Sequence, residues 1–168
     1  SCLVGSEMCI RDSTNPCGAK KQILGVYDKD LVKSFAAVAK NLSMEHVLIV
    51  HGFDGLDEIT ITNKTYVAEL KDNSINEYEI SPKDFGLNFG QLSEIIAQSS
   101  DDSLQLIREA FSGEKSAVQD MIALNSGAAL YLANVVHSIA DGVELSFELM
   151  NNGMAADKLA SYVRVSNS

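Results

Sequence analysis

Four consecutive apolar residues, Val47 to Val50, constrain the fold of this 168-residue chain more than any other feature. Three of the four are β-branched, which favours a strand, and no polar residue alternates with them. A strand with this pattern is covered on both faces, as central strands of parallel sheets are. The run therefore predicts a sheet with helices packed against it, which is the arrangement of an α/β domain.

The segment before this strand predicts another strand and a helix. Residues 22–27 are β-prone, and Asp28 is a good N-cap residue for the helix that follows. Apolar residues then recur at spacings of four, three and four, which indicates one buried helical stripe: Leu31, Phe35, Val38 and Leu42. Strand, helix and strand over residues 22–50 form a crossover unit, and such units are almost always right-handed.

The pattern changes after Gly55, where three short segments predict an antiparallel meander at the edge of a mostly parallel sheet. Residues 59–62 alternate in character, and residues 65–70 and 75–80 follow after polar turns. From residue 81 to residue 90 we expect an ordered loop with one helical turn.

The last part of the chain is predicted to be helical. Asp101 or Asp102 can cap a helix that Gly113 ends. A longer helix over Ser116 to Val136 is apolar on nearly all sides, and a helix of that kind is buried. Two more helices follow, the first with a cap at Ser138 and a stop at Asn152 and Gly153, the second over residues 155–165.

Composition excludes several classes of partner and location. The chain has 13 basic and 23 acidic side chains, and its net charge of −10 disfavours nucleic acid and anionic membranes. The longest apolar stretch, Met121 to Val136, is shorter than the roughly 20 residues that span a bilayer. Three cysteines without metal-ligand spacing (Cys2, Cys9 and Cys17) indicate reduced thiols, and we expect a cytoplasmic protein.

The segment that could carry chemistry is the acidic loop, defined here as residues 51–58. It directly follows the apolar run, and ligands of open parallel sheets bind beyond the carboxyl ends of strands. Asp54, Asp57 and Glu58 concentrate negative charge that a cation would neutralise. Mg²⁺ binds through one or two carboxylates together with substrate phosphates, and the adjacent Asp57 and Glu58 suit that role. The alternative is that all three acids belong to a solvated turn.

Other residues are weaker candidates. His51 could act as a base, although a histidine in this place is more often a hydrogen-bonded structural residue. Asn125 lies on the long apolar helix, where we expect its side chain to be hydrogen-bonded within the core. The sequence contains no G-x-x-x-x-G-K-[ST], G-x-G-x-x-G, G-x-S-x-G or H-E-x-x-H motif, which excludes the commonest nucleotide-hydrolysing, dinucleotide-binding, serine-hydrolase and zinc-protease interpretations.

Several segments together resemble the C-terminal half of the anthranilate phosphoribosyltransferase family. They occur in the family's order and at its approximate spacing, from about Thr14 to near the end of the chain. The most specific are the Asn-Pro and Gly-Leu-Asp-Glu segments. The matching segments are residues 14–19, 22–28, 50–52, 55–59, 84–87, 112–114 and 124–131.

The resemblance implies a fold, a reaction and a metal. The fold is a nucleoside phosphorylase/phosphoribosyltransferase-like α/β domain, of which residues 14–168 would be the C-terminal part. In the reaction, the amine of anthranilate attacks C1 of phosphoribosyl pyrophosphate and pyrophosphate leaves, on the way to tryptophan. The family's Gly-Leu-Asp-Glu carboxylates bind Mg²⁺, which assigns Asp57 and Glu58 as metal ligands in this chain. The resemblance also implies that the intact protein is a homodimer.

The chain also departs from the family pattern. The family's glycine-rich pyrophosphate loop and the helical domain through which it typically dimerises lie upstream of the Asn-Pro segment, and neither is present here. Residues 1–13 have no counterpart, and we interpret them as a non-native leader, such as a translated adaptor. The sequence therefore predicts that this fragment alone is inactive. The alternatives are a related nucleoside phosphorylase-like enzyme and a non-catalytic degenerate paralogue.

Overall fold

The computed structural model describes residues 18–167, so the predicted leader and the three cysteines lie outside the described residues. The described part contains four strands, five α-helices and two short 3-10 turns. In chain order the elements are β1 (Lys21–Gly25), α1 (Lys29–Asn41), β2 (His46–Gly52), β3 (Thr65–Lys71), β4 (Ser74–Ile80), turns at Pro82–Phe85 and Leu92–Glu94, α2 (Ser100–Phe111), α3 (Ala117–Leu132), α4 (Ile139–Asn151) and α5 (Met154–Ser166). The α/β class predicted from the sequence is confirmed.

The apolar run forms the middle of β2, and both faces of that strand are covered. Val47 and Ile49 belong to an apolar cluster that includes buried residues of α1. Leu48 and Val50 belong to a second cluster, built with buried residues of α3 and α4. All four side chains are at most 1% exposed, so β2 is the central structural element of both clusters.

The predicted strand-helix-strand unit is confirmed at the start of the described chain, but its buried helical stripe is not the predicted one. The buried residues of α1 are Val32, Ala36 and Ala39, while Val38 and Leu42 of the predicted stripe are exposed. β1 pairs with β2 in parallel, with Lys21 opposite His46 and Gly25 opposite Val50. α1 lies between them in sequence, and the Asp28 carboxylate caps it by accepting a hydrogen bond from the Asp30 amide. This cap satisfies one of the backbone donors that the first helical turn leaves unpaired.

The sheet differs from the mostly parallel one that the sequence predicts. Its strand order is β1-β2-β3-β4, and only β1 and β2 run parallel within the described residues. β2 pairs antiparallel with β3, and β3 pairs antiparallel with β4. The cause is local: β3 and β4 are joined by Asp72 and Asn73, which both adopt positive φ. A two-residue turn of this kind reverses the chain at once, so no crossover helix can intervene.

Residues 59–62 do not form the first strand of a meander, so this prediction was wrong. Ile59, Thr60 and Ile61 are all buried, whereas a half-solvated strand would alternate. Several of their backbone groups pair with side chains: the Thr60 amide, for example, donates to the Thr65 hydroxyl at 3.0 Å. The Ile61 carbonyl accepts from the Gly90 amide, which does not belong to a strand. The expected helical turn between residues 81 and 90 is confirmed at Pro82–Phe85.

The C-terminal helices follow the predicted order, and serines cap the first three of them, α2, α3 and α4. Ser138 caps α4 as predicted, whereas Ser116, predicted as the first helical residue, is the cap of α3, which ends at Leu132 instead of Val136. Ser99 caps α2 instead of Asp101 or Asp102, because its side chain accepts the hydrogen bond from the Asp102 amide. Within the described residues, no helix has both the length and the apolar character that crossing a membrane requires.

Helices α3 and α4 cross at a glycine pair that allows backbone contact. A Cβ atom added to Gly127 would lie 2.6 Å from the Val143 nitrogen, and one added to Gly142 would lie 2.3 Å from the Gly127 oxygen. No real Cβ atom approaches backbone this closely, so both positions require glycine for packing.

We expect Gly127→Ala to destabilise the protein. An alanine in the helix would gain about 1 kcal/mol of helix propensity, but pushing α4 away costs more, so the net loss is about 2 kcal/mol. Urea unfolding monitored by circular dichroism measures this loss. Ala129→Gly, at an exposed position of the same helix, isolates the propensity effect of about 1 kcal/mol. A Gly127→Ala variant more stable than the wild type would contradict the close packing.

A partly buried carboxylate joins three strands and a helix at the amino end of β2. The Nε2 atom of His46 lies 2.7 Å from the Glu69 Oε1, and the Tyr131 hydroxyl of α3 donates to the same oxygen at 2.9 Å. The Tyr78 hydroxyl of β4 donates to Oε2 at 3.0 Å. Burial alone would raise the pKa of Glu69, but these hydrogen bonds outweigh burial and hold the pKa below its ordinary value.

This network predicts an acid-sensitive contribution to stability. Because the pKa of Glu69 is lower in the folded protein, its contribution is fully present above the unfolded pKa and is lost as the pH falls through the folded pKa. We expect the difference in unfolding free energy between wild type and Glu69→Gln to shrink as the pH is lowered from 6 towards 3, a range set about the reference carboxylate pKa near 4.3. Glu79→Gln, which removes an exposed ion pair with Lys64, is the control. A difference independent of pH would contradict the role of Glu69.

Candidate active site

The acidic loop lies where the two parallel strands end. Its first two residues complete β2, and the remaining six turn away from the sheet. The Val26 amide donates to the Val50 carbonyl at 3.0 Å, which continues the pairing one residue past β1. The ends of β1 and β2 are therefore adjacent, and the loop stands above both, at the carboxyl edge where the sequence analysis expects a ligand site.

Asp54 holds the loop together instead of lying in a solvated turn. Its Oδ1 accepts a hydrogen bond from the Leu56 amide at 3.1 Å, and its Oδ2 accepts one from the Thr60 hydroxyl at 2.6 Å and another from the Thr62 hydroxyl. Burial would raise the pKa of Asp54, but these bonds prevail and lower it. The carboxylate is thus committed to bonds within the protein.

Asp57 and Glu58 present a different environment, because both residues are exposed. Neighbouring atoms still exclude part of the water around the Glu58 carboxylate, and this desolvation raises its pKa; the negative charge of Asp57 raises it further. The two carboxylates therefore repel each other across the loop. A cation placed between them would relieve that repulsion.

The end of β1 fixes the backbone of Asp57. A Cβ atom added to Gly25 would lie 1.5 Å from the Asp57 carbonyl oxygen, so the two backbones are in direct contact. On the β2 side, the Gly52 amide donates to the Leu56 carbonyl at 2.8 Å. A Cβ atom on Gly52 would lie 2.4 Å from the Asp54 Oδ1. Glycine at both positions is what lets the loop fold back onto the strand ends.

His51 has the structural role that the sequence analysis favoured. Its Nδ1 lies 2.8 Å from the Val26 carbonyl oxygen. Because a carbonyl only accepts, Nδ1 carries the proton and donates it in this bond. His51 thereby joins the end of β2 to the residue that follows β1.

Two further residues contact the loop, and the sequence did not reveal their role. The Asn125 side chain bonds both backbone groups of Ile59, the residue after Glu58. The ammonium group of Lys29, at the start of α1, lies 4.8 Å from the ring centroid of Phe53 and 4.6 Å from that of Tyr66. Lys29 therefore covers the exposed aromatic residue of the loop through cation–π contacts.

The residues of the site are suited to a hard cation bound with few protein ligands. Nowhere in residues 18–167 do three or more His, Cys, Asp or Glu side chains gather into a group that could hold a metal ion. This finding excludes a closed zinc site, which needs four protein ligands, among these residues. Two exposed carboxylates with oxygen donors do fit Mg²⁺, which keeps several waters and takes its other ligands from substrate phosphates.

Comparison with known proteins identifies relatives along most of the chain. A family model described as the glycosyl transferase family, a/b domain, matches residues 13–156. The anthranilate phosphoribosyltransferase of Vesicomyosocius okutanii is 44% identical over 153 residues, which are 91% of this chain and 45% of that protein. The anthranilate phosphoribosyltransferase of Halorhodospira halophila is 45% identical over 150 residues, 89% of this chain and 44% of that protein.

Solved structures of the same kind of enzyme are similar in fold. Anthranilate phosphoribosyltransferase from Thermus thermophilus matches with a TM-score of 0.83 and 29% identity, over 92% of this chain and 46% of that one. The enzyme from Saccharomyces cerevisiae in complex with PRPP and Mg matches with a TM-score of 0.76 and 26% identity, over 88% of this chain and 43% of that one.

These comparisons confirm the resemblance that the sequence motifs carry. The chain spans about 45% of the length of the curated relatives it matches. The family match nevertheless covers most of the chain. It includes β1, β2 and the acidic loop, which leads from β2 towards β3. The chain therefore belongs to the glycosyl transferase family, as part of its α/β domain.

Proposed function

We propose that the full-length protein transfers the 5-phosphoribosyl group of phosphoribosyl pyrophosphate (PRPP) to anthranilate, giving N-(5-phosphoribosyl)anthranilate and pyrophosphate. The observation that carries the proposal is the pair of exposed, mutually repelling carboxylates Asp57 and Glu58 at the carboxyl ends of the parallel strands. It is supported by relatives named anthranilate phosphoribosyltransferase and by a similar structure bound to PRPP and Mg.

The reaction requires the protein to position the two substrates and to neutralise the charge that develops on pyrophosphate. The anthranilate nitrogen forms a bond to C1 of the ribose, the bond from C1 to pyrophosphate breaks, and the nitrogen loses a proton. Negative charge gathers on the departing pyrophosphate while the ribose becomes cationic. Mg²⁺, when bound, supplies positive charge to the pyrophosphate oxygens.

Each of the three acids of the acidic loop has a part in this proposal. Asp57 and Glu58 would hold the cation. Asp54, through its bonds to Leu56 and Thr60, keeps the loop from swinging into solvent. The contact between Gly25 and the Asp57 backbone fixes the height of the carboxylates above the sheet.

The proposal also covers the cellular location, the pathway and the oligomeric state of the intact protein. We propose that the protein acts in the cytoplasm, in tryptophan biosynthesis, and that the intact protein is a homodimer. A nucleoside phosphorylase-like enzyme and a non-catalytic paralogue are the competing functions. Neither is favoured by a specific observation, because the relatives that match along the chain are named anthranilate phosphoribosyltransferase.

The test compares the full-length protein with the 168-residue chain. The loss of anthranilate fluorescence in the presence of PRPP and Mg²⁺ measures turnover. We expect the full-length protein to consume anthranilate and the 168-residue chain to show no measurable turnover, because groups that bind PRPP are expected upstream of this segment. A full-length protein that leaves anthranilate unchanged but cleaves nucleosides with phosphate would replace the proposal with its competitor. Normal turnover by the short chain would refute its predicted inactivity.

A further inference from the structure

We propose that Asn125 is a positioning residue for the metal-binding carboxylates: it fixes the backbone beside Glu58 and so sets the orientation of the Glu58 carboxylate relative to that of Asp57. This inference rests on the proposed function, since it concerns how the same loop is held for a cation. It assigns to α3, a helix 66 residues away in sequence from the loop segment that it contacts, a part in metal binding.

The Asn125 carboxamide pairs with Ile59 as a neighbouring strand would. Its Oδ1 accepts from the Ile59 amide at 3.1 Å, and its Nδ2 donates to the Ile59 carbonyl at 2.9 Å. The same Nδ2 donates to the Met121 carbonyl at 3.0 Å, one turn back along α3. The carboxamide is therefore held on its own helix while it binds both backbone groups of Ile59.

Ile59 transmits this constraint to Glu58. Its side chain is 1% exposed and packs in the same apolar cluster as Ala123 and Leu124 of α3. With the backbone hydrogen-bonded and the side chain buried, Ile59 has little freedom to move relative to α3. The position of the next residue toward the N-terminus, Glu58, is fixed to within the rotation of one peptide unit.

The two acids are thus held from opposite sides. The backbone of Asp57 is in contact with Gly25 at the end of β1, and Glu58 is tied through Ile59 to α3. A divalent cation that takes both carboxylates requires them at a nearly constant separation, because Mg²⁺ tolerates little deviation from octahedral geometry. Mutation of a residue that orients metal ligands in this way typically weakens metal binding by about 10- to 100-fold.

The test measures metal binding without turnover. In the full-length protein, Mn²⁺ replaces Mg²⁺, and the electron paramagnetic resonance signal of free Mn²⁺ gives the dissociation constant in the presence of PRPP and the absence of anthranilate. We expect Asn125→Ala to weaken Mn²⁺ binding about tenfold, the lower end of the range for residues that orient ligands. The Mg²⁺ concentration that gives half-maximal turnover should rise by the same factor.

Gln119→Ala is the matched control. Gln119 lies on the same helix, and its carboxamide donates to the Ala110 carbonyl at 3.0 Å and to Asn151 at 3.1 Å, away from the acidic loop. Both variants lose a carboxamide that anchors α3, so both should lose stability in urea. Only Asn125→Ala should lose affinity for Mn²⁺. Equal Mn²⁺ affinity in the two folded variants would overturn the inference.

A second variant covers the case in which Asn125→Ala does not fold. Asn125→Gln keeps the carboxamide and adds no charge, but its extra methylene displaces the two bonds to Ile59. Weaker Mn²⁺ binding in this variant would come from the displaced backbone beside Glu58. Unchanged binding would refute the positioning role. If wild-type protein and Asp57→Asn bind Mn²⁺ equally, the metal role in the proposed function fails instead.

Discussion

Asp57→Asn and Glu58→Gln in the full-length protein are each expected to lower kcat/KM by about 100-fold or more, the usual effect of removing one electrostatic contact to a developing charge. Each substitution keeps the size of the side chain and removes one negative charge. The remaining carboxylate must then hold the cation alone, so the Mg²⁺ concentration for half-maximal rate should rise as well. Initial rates over a Mg²⁺ titration measure both effects.

The pH dependence of metal binding separates Glu58 from Asp57. Desolvation and the charge of Asp57 raise the pKa of Glu58, so a proton competes with the cation for this carboxylate at higher pH than for an ordinary glutamate. Mn²⁺ affinity should therefore fall as the pH is lowered through that pKa. In Glu58→Gln this carboxylate is absent, so the decrease of Mn²⁺ affinity caused by its protonation should disappear.

Glu144→Gln provides the control for both substitutions. Glu144 is exposed on α4, so its replacement removes the same charge without touching the acidic loop. We expect its rate and its Mg²⁺ dependence to match the wild type. If both loop variants keep the wild-type Mg²⁺ dependence, Asp57 and Glu58 are not metal ligands.

Local patterns were enough to predict the parts of the fold that depend on nearby residues. The apolar run of β2 and the cap at Asp28 were predicted correctly because their determinants lie within a few positions. The cap at Ser138 was predicted for the same reason. At α2, four consecutive residues (Ser99, Ser100, Asp101 and Asp102) can all act as caps, and only the backbone path selects Ser99.

Residues 59–62 illustrate why pattern alone was insufficient. Their alternating pattern is typical of a strand, but the backbone groups of a strand also need a neighbouring strand as a hydrogen-bond partner. Here Ile59 finds Asn125 and Thr60 finds Thr65, so side chains replace the neighbouring strand. Nothing within the segment signals a partner 66 residues away.

The candidate site was located by sequence but not explained by it. The position of the acidic loop follows from its place after β2. The separate role of Asp54 could not be inferred, because three acids in five residues look equivalent until their hydrogen bonds are known. The contact of Gly25 with Asp57 joins residues 32 positions apart, and a glycine in a β-prone run does not indicate what it approaches.

We expect Gly25→Ala to have the largest effect on the loop. The new Cβ would lie 1.5 Å from the Asp57 carbonyl oxygen and 2.5 Å from its carbonyl carbon. Neither backbone can absorb an overlap of this size by a side-chain rotation, so the loop must lift away from β1. The unfolding free energy should fall by about 3 kcal/mol, at the upper end of overpacking costs. Urea unfolding of the full-length protein measures this loss.

The displaced loop should also lose its affinity for the cation, because the peptide that joins Asp57 to Glu58 must move while Ile59 stays bonded to α3, and the two carboxylates are reoriented. We expect Mn²⁺ binding in Gly25→Ala to be at least as weak as in Asp57→Asn. Gly86→Ala is the control: its new Cβ meets no atom within 4 Å, so it carries only the strain of a positive φ, which is about 1 kcal/mol. A Gly25→Ala protein that binds Mn²⁺ like the wild type would mean that the carboxylates do not depend on β1 for their position, and that the loop is held by α3 and Asp54 alone.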